Sequence, residues 1–333
     1  MDDTPTDSDA GMDADGETDT GTDLDPDEFT AENADTDAAA PANVDPADAF
    51  AALGNSIRVD ILRAFLEHQQ AAATPVVQFS TLRRAVGLRD SGQFRYHLEQ
   101  LRGTFVEKCD GGYRLTYAGS AVLTAIVAGT YTDTDALGPT PVDSACTFCG
   151  AAVSATYRDG ILTVSCENEH PLFVWALPPN AAAGASIEDL IELATTLAFQ
   201  SYELVVDGTC SECYSSISPE FESADDSSGD DTAGQSVRFT AACDACGAAW
   251  SVPVGFALLT HPEIERLYHR QGRPLRTQYW WELDPVTSAV ELEFESSGTD
   301  PNRVRLSVDI GDTTVRATLD ETGSVAELEF TTD

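Results

Sequence analysis

The chain has 333 residues, 57 Asp and Glu against 18 Lys and Arg, a formal net charge of −39 and 42% hydrophobic residues. That is long enough for two or three domains of ordinary size and too apolar for a wholly disordered polyanion. No run of about 18 apolar residues offers a helical membrane span, and the stretch before Pro46 has neither a basic residue nor an apolar segment, so no secretory signal is expected and the reading is a cytoplasmic protein.

Lys108 is the only lysine; the other basic residues are Arg. An Asp-rich, Lys-poor composition along the whole chain points to a halophile, because molar salt shortens the Debye length to about 3 Å and screens self-repulsion. The charge is uneven. Residues 1–45 are net −16, residues 131–333 are net −25, and residues 46–130 are net +2. That middle segment is the place to look for an anionic partner.

Residues 1–45 are rich in Asp, Thr, Ala and Gly and are expected as a disordered acidic tail. In Pro46–His68 the residues Phe50, Leu53, Ile57, Ile61, Leu62 and Phe65 recur at helical spacing, which predicts one amphipathic helix. Ser80 is the expected cap of a short helix over Thr81–Val86, with Leu82 and Val86 inward and Gly87 as its stop. A helix over Ser91–Arg102 buries Phe94, Leu98 and Leu101, with His97 beside them in a hydrogen-bonded packing role. Phe105–Cys109 and Tyr113–Thr116 flank Asp110-Gly111-Gly112, a hairpin signal, and Tyr117–Val127 reads as a helix.

This order is that of a winged helix-turn-helix DNA-binding domain over 46–130. Gln93, Arg95 and Tyr96 lie off the core stripe of the reading helix, where Arg pairs with guanine and Gln with adenine. Arg89, Ser91 and Arg102 suit phosphate contacts, and Lys108 and Arg114 on the wing suit the adjacent backbone. A solvated helical domain used for protein contact would carry the same residue types.

The string Ala52-Leu53-Gly54-Asn55-Ser56-Ile57-Arg58-Val59-Asp60-Ile61-Leu62 resembles the first motif of ArsR-type regulators. Ser91–Arg102, with Phe105-Val106-Glu107-Lys108, Gly112-Tyr113-Arg114-Leu115-Thr116 and Gly119, resembles the haloarchaeal branch of that family. The resemblance implies a winged-helix transcriptional regulator, commonly a dimer. Leu258–Tyr268 and Trp280-Trp281-Glu282-Leu283 resemble a C-terminal domain carried by haloarchaeal relatives. Metal-responding members carry paired cysteines in the helix-turn-helix; Phe79–Leu101 here has none, so the resemblance does not extend to metal sensing. Cys109 stands alone on the wing and reads as a packed residue.

A Thr/Pro/Gly-rich linker is expected over 131–142. In 143–275, Cys146-x-x-Cys149 is followed after 16 intervening residues by Cys166-x-x-x-His170, and Cys210-x-x-Cys213 after 29 by Cys243-x-x-Cys246. Each Cys-x-x-Cys turn aims two thiolates at one cation, with Gly150 and Gly247 placed for the tight turns and β-like runs between the pairs. The expectation is two zinc-ribbon-like sites holding two structural zinc ions. Thiolate donors favour zinc over magnesium or calcium and, with no other cluster feature, over iron–sulfur; a cytoplasmic chain disfavours disulfides. Sequence order leaves the pairing of the half-motifs open. His261 and His269 with Glu265 between them read as solvated.

Residues 276–333 show alternation in Gln278–Leu283, Val290–Glu295, Arg303–Ile310, Thr313–Leu319 and Val325–Phe330, an antiparallel β segment. The fold class expected is thus α+β: a winged helix-turn-helix, zinc-ribbon-like elements and a small antiparallel β domain. No Walker loop, Gly-x-Ser-x-Gly or His-Glu-x-x-His is present, so no enzyme is expected. The leading reading is a sequence-specific transcriptional regulator that binds double-stranded DNA, expected as a homodimer, with no membrane partner and an unassigned effector; the apolar residues Leu115, Val122, Leu123, Ile126 and Val127 leave surface for a partner subunit or, equally, for the C-terminal domain. The alternative is an adaptor that docks on transcription machinery.

Overall fold

The computed structural model describes residues 44–72, 75–132, 135–223, 237–287, 291–295 and 303–332. The acidic tail expected over 1–45 lies outside them except for Val44 and Asp45. The fold is mixed α+β with several small antiparallel sheets. Two compact units divide between Thr116 and Tyr117.

The first unit holds helices α1 (Pro46–Leu53), α2 (Ser56–Ala72), α3 (Phe79–Ala85) and α4 (Ser91–Leu101), then strands β1 (Val106–Cys109) and β2 (Gly112–Leu115). The single helix expected over Pro46–His68 is two. Asn55 restarts the chain: its Oδ1 accepts the Ile57 N–H at 3.0 Å and its carbonyl accepts those of Arg58 and Val59, the action of an N-cap. Phe50, expected on the buried stripe, is 70% exposed. Helix α3 begins at Phe79, ahead of the expected Ser80 cap, because the Gln78 carbonyl accepts the Thr81 and Leu82 N–H groups. Val77, just before it, is held extended by an antiparallel bridge to Tyr113. Asp90 caps α4, its Oδ1 accepting the Gly92 and Gln93 N–H groups at 2.7 and 3.3 Å.

Ile61, Leu62 and Phe65 of α2, Leu82 of α3, and Phe94, Leu98 and Leu101 of α4 are fully buried. His97 is buried with them, but its Nδ1 has no hydrogen-bond partner, so it packs without the expected hydrogen bond. The β1–β2 hairpin turns on Asp110-Gly111, with Cys109 opposite Gly112. Gly112 is therefore in the strand and not in the turn. A Cβ there would lie 2.4 Å from the Val77 carbonyl oxygen, so the bridge between Val77 and Tyr113 requires glycine beside it.

The second unit opens with α5 (Tyr117–Ala128), the helix expected to close the 46–130 domain. Its buried residues are Gly119 and Leu123, and it packs on α6 (Pro179–Ala182). Strands β3 (Leu137–Ala145), β4 (Ala152–Arg158), β5 (Ile161–Cys166) and β6 (Pro171–Ala176) form an antiparallel sheet in that order. The expected linker 131–142 thus contributes most of β3. Pro139 and Pro141 hide it in the sequence, yet proline is tolerated on an edge strand, where one row of N–H groups needs no partner.

Helix α7 (Ile187–Val206) lies on this sheet and starts with a reciprocal cap between Ser186 and Asp189. Strands β7 (Pro219–Ser223), β8 (Val237–Ala242) and β9 (Ala249–Pro253) form a second antiparallel sheet. Helices α8 (Phe256–Leu259), α9 (Pro262–Arg270) and α10 (Asp284–Thr287) follow. His261 caps α9, its Nδ1 accepting the Glu263 N–H at 3.2 Å. The strand expected over Gln278–Leu283 is instead a tight 3₁₀ turn at Trp280–Glu282, with Trp280 and Trp281 both buried. Its aromatic run mimics a strand but fills the core from a turn. Strands β10 (Glu291–Glu295), β11 (Arg303–Ile310), β12 (Thr313–Leu319) and β13 (Val325–Thr332) form the last sheet, an antiparallel meander. One apolar cluster runs from Val142 to Leu319 through all these layers.

Gly112→Ala is expected to lower stability by about 1–3 kcal/mol, the usual cost of overpacking, read as a lower unfolding midpoint in molar KCl. Burial, with Arg58 nearby, holds the His97 imidazole below its ordinary value of 6.5. The folded state then resists a proton that the unfolded state accepts. Stability is full above that value and falls as pH drops below it. Chemical unfolding across that window is expected to show the slope, and His97→Gln to flatten it.

Candidate metal centres and the basic face

Two groups of donor atoms converge in the second unit: Cys146, Cys149, Cys166 and His170 in one, Cys210, Cys213, Cys243 and Cys246 in the other, with the donor atoms of each within 4.8 Å of one another. The half-motifs pair with their nearest successors in the chain.

Topology explains the convergence. Cys146 and Cys149 occupy the β3–β4 connection, Cys166 ends β5, and His170 lies in the β5–β6 connection. In an antiparallel meander these two connections lie at the same end of the sheet. Cys166 sits opposite Val153, beside the start of β4. In the other site Cys243 and Cys246 occupy the β8–β9 connection, closed by the Ala242–Ala249 pair, and Cys210 and Cys213 precede β7.

Three of the turns share one backbone geometry. The N–H groups of Gly150, Tyr214 and Gly247 donate to the carbonyls of Cys146, Cys210 and Cys243 at 2.8, 2.9 and 2.8 Å. All three residues have positive φ, at 71°, 61° and 78°. Tyr214 pays for this left-handed conformation without glycine's freedom, and sequence reasoning missed it for that reason. The turn at Cys166 differs: its N–H donates to the His170 carbonyl at 3.2 Å, and Glu169 takes the positive φ.

Cys149 Sγ and Cys166 Sγ are 3.7 Å apart, and His170 Nδ1 lies 3.6 and 3.5 Å from Cys146 Sγ and Cys166 Sγ. Cys210 Sγ lies 3.7 Å from Cys246 Sγ, and Cys213 Sγ lies 3.6 Å from Cys243 Sγ. Metal–sulfur bonds of about 2.3 Å in a tetrahedron give sulfur–sulfur edges of about 3.8 Å. A disulfide would need about 2.05 Å, and all eight cysteines are free thiols. Each cluster is therefore compatible with one bound metal ion.

The thiols are unequal. Burial pushes Cys146 upward. Cys149 is exposed and accepts a hydrogen bond from Asn168 Nδ2 at 3.3 Å, which lowers it to about 6. Cys213 is lowered to about 6 by hydrogen bonds from the Ser215 side chain and backbone. Each site thus holds one thiol below the ordinary cysteine range, favouring the thiolate that binds metal.

In the first unit Ser91, Gln93, Arg95 and Tyr96 are exposed on the N-terminal half of α4, with Arg89 exposed just before it. The Arg95 guanidinium sits 5.5 Å over the Phe79 ring. Arg102 and Arg114 are exposed but engaged, each donating to a glutamate, Glu99 and Glu107, at 2.6 Å. Lys108 is exposed on β1. Arg83 and Arg84, in the last turn of α3, extend this basic set beyond the residues picked from the sequence, and Arg83 Nη1 donates to the Arg89 carbonyl at 3.0 Å. Among the described residues no helix is long and apolar enough to cross a membrane.

Residues 46–126 match the family model of a domain of unknown function, DUF7347, and residues 143–325 match that of another, DUF7351. No curated protein and no solved structure matches the chain.

Protein purified without added metal is expected to carry two metal ions per chain by elemental analysis. Cys246→Ser is expected to reduce this to one, because the two donor sets share no residue.

Proposed function

The chain belongs to the DUF7351 family, and we propose that it is a sequence-specific DNA-binding transcriptional regulator of a halophile, with a winged-helix reader in its first unit and structural zinc in its second. One observation carries the reading. The N-terminal half of α4 exposes Gln93, Arg95 and Tyr96, next to a hairpin bearing Lys108, in the one segment of a −39 chain that is net positive. A helix with base-reading side chains on its exposed N-terminal side is what the major groove admits.

In this reading Arg95 and Gln93 contact base edges. Arg89, Ser91, Arg83 and Arg84 hold phosphates, and Lys108 reaches from the wing. Arg102 and Arg114 contribute less, because their charge is already shared with Glu99 and Glu107. Molar salt weakens phosphate contacts steeply, so selectivity rests on base contacts and on avidity from a homodimer. Of the apolar residues expected to meet a second copy, Leu123 is buried within the fold and Val127 is 47% exposed; Tyr117 of α5, 88% exposed and outside that expected set, adds apolar surface for the second copy. The metal is zinc because closed sets of four thiolate and imidazole donors suit it, and with no open position the role is structural.

The same ion pairs favour a second reading, an adaptor that docks on transcription machinery. Glu99 and Glu107 place carboxylates on the surface that would face the phosphates, a mixed-charge face that also suits a protein partner.

Selection of binding sites from random duplexes in molar KCl, followed by footprinting, separates the two. The regulator reading expects one selected sequence, and a loss of about tenfold or more on Arg95→Ala or Gln93→Ala, since a bidentate base contact contributes about 1–3 kcal/mol. Failure to select a sequence, or indifference to both substitutions, leaves the adaptor.

A further inference from the structure

The first metal centre carries a side-chain contact from a residue outside its donor set. Asn168 lies between Cys166 and His170, and its Nδ2 donates to Cys149 Sγ at 3.3 Å. The bond spans 19 residues of sequence and joins the β5–β6 connection to the β3–β4 connection, the two halves of the site. Cys146 and Cys166 are buried and His170 is half-buried, whereas Cys149 is exposed. Water, protons and competing ligands therefore reach this centre first at Cys149, the atom that Asn168 holds.

The local backbone fixes Asn168 in that place. The Glu169 N–H donates to the Cys166 carbonyl at 2.9 Å, and the Cys166 N–H donates to the His170 carbonyl at 3.2 Å. The Glu167 N–H donates to the Ala152 carbonyl at 3.1 Å, which moors the turn to the first residue of β4. Glu169 closes the turn at a φ of 63°, a left-handed conformation that is costly for a residue with a Cβ and that gathers at functional sites. The second centre is arranged differently. There the hydrogen bond to Cys213 comes from Ser215, two residues along in the same half, and Ser211 is held to Ser201 of α7 at 2.7 Å. Asn168 does for Cys149 what Ser215 does for Cys213, and in addition spans the two halves of its site.

We propose that Asn168 is a positioning residue of the first metal centre: it clasps Cys149 from the opposite half of the site and sets how tightly that centre keeps its metal, independently of the second centre. An amide supplies N–H donors without a charge of its own, and a hydrogen bond to an ionised acceptor is stronger than one between neutral groups. It orients the sulfur and disfavours its protonation, the step that would free it from a metal. Partners of this kind, one bond removed from a metal, typically decide 10–100-fold in affinity. The inference rests on the reading of the cluster as a metal centre and is independent of DNA binding.

The test follows release of zinc from the full chain to the chelator 4-(2-pyridylazo)resorcinol in molar KCl. Cys246→Ser, which leaves the first centre loaded, assigns the phases. Asn168→Asp keeps the shape but replaces the donor with a carboxylate, and Asn168→Ala removes it. Each is expected to speed loss from the first centre about tenfold or more and to leave the second unchanged. A merely structural role for Asn168 is separated by absorption of the cobalt(II)-loaded chain in the Cys246→Ser background. A hydrogen bond to sulfur lowers the energy of its lone pair, so removing the donor should move the thiolate-to-metal band to longer wavelength. A variant that holds metal in the second centre alone gives the expected result in its extreme form. Release at the wild-type rate from both variants, an unmoved band, or equal acceleration at both centres overturns the proposal. Wild-type protein without metal overturns the metal reading and the clasp with it, whereas two metal ions and unmoved rates overturn the clasp alone.

Discussion

The second unit depends on one constraint: four donor atoms must meet at one point, twice. Each meeting joins segments that the chain keeps far apart, Cys146 with His170 and Cys210 with Cys246. The antiparallel pairing between them is what makes the meeting possible, since connections at one end of a meander are neighbours. The dependence runs in both directions. The sheet brings the thiolates together, and a metal held there would fix the ends of β3–β6 and β7–β9, edges that small sheets otherwise leave to fray. The apolar cluster from Val142 to Leu319 includes the buried Cys146, Cys166, Cys210 and Cys243, so the metal-side and core-side packing are continuous.

Much of this was legible in the residues. Cysteine spacing marked both donor sets, and Gly150 and Gly247 marked two of their turns. The stripe Phe94, Leu98 and Leu101 marked α4, and alternation marked β11 and β12. The failures have physical causes. Asn55 breaks a helix through a side-chain hydrogen bond that periodicity does not register. Pro139 and Pro141 read as linker because a central strand would exclude them, whereas β3 is an edge. Tyr279-Trp280-Trp281 read as strand because aromatic bulk resembles strand composition, whereas its role is to fill a junction between layers. Asn168 gave no signal because it lies 19 residues from Cys149, and only the pairing of β4 with β5 brings their turns together.

Charge has a different meaning at each scale. The total of −39 is carried by the segments 1–45 and 131–333. The segment 46–130 is net positive, yet within it Glu99 and Glu107 already engage two of the arginines that the sequence marked for phosphate. What remains on the face of α4 is a short set of side chains suited to directional contacts. Directional hydrogen bonds lose less to salt than point-charge attraction does.

The loop between β12 and β13 reaches back to α7 and β8 of the second unit. The Tyr202 hydroxyl of α7 donates to the Gly323 carbonyl at 3.2 Å, and a Cβ on Gly323 would lie 2.3 Å from the Phe239 ring of β8. The terminal sheet is therefore no appendage. A chain ending before it would strip the cover from Phe239 and leave a buried phenol without its acceptor. The cysteine-bearing sheets and the terminal meander should melt as one cooperative body, in a single transition.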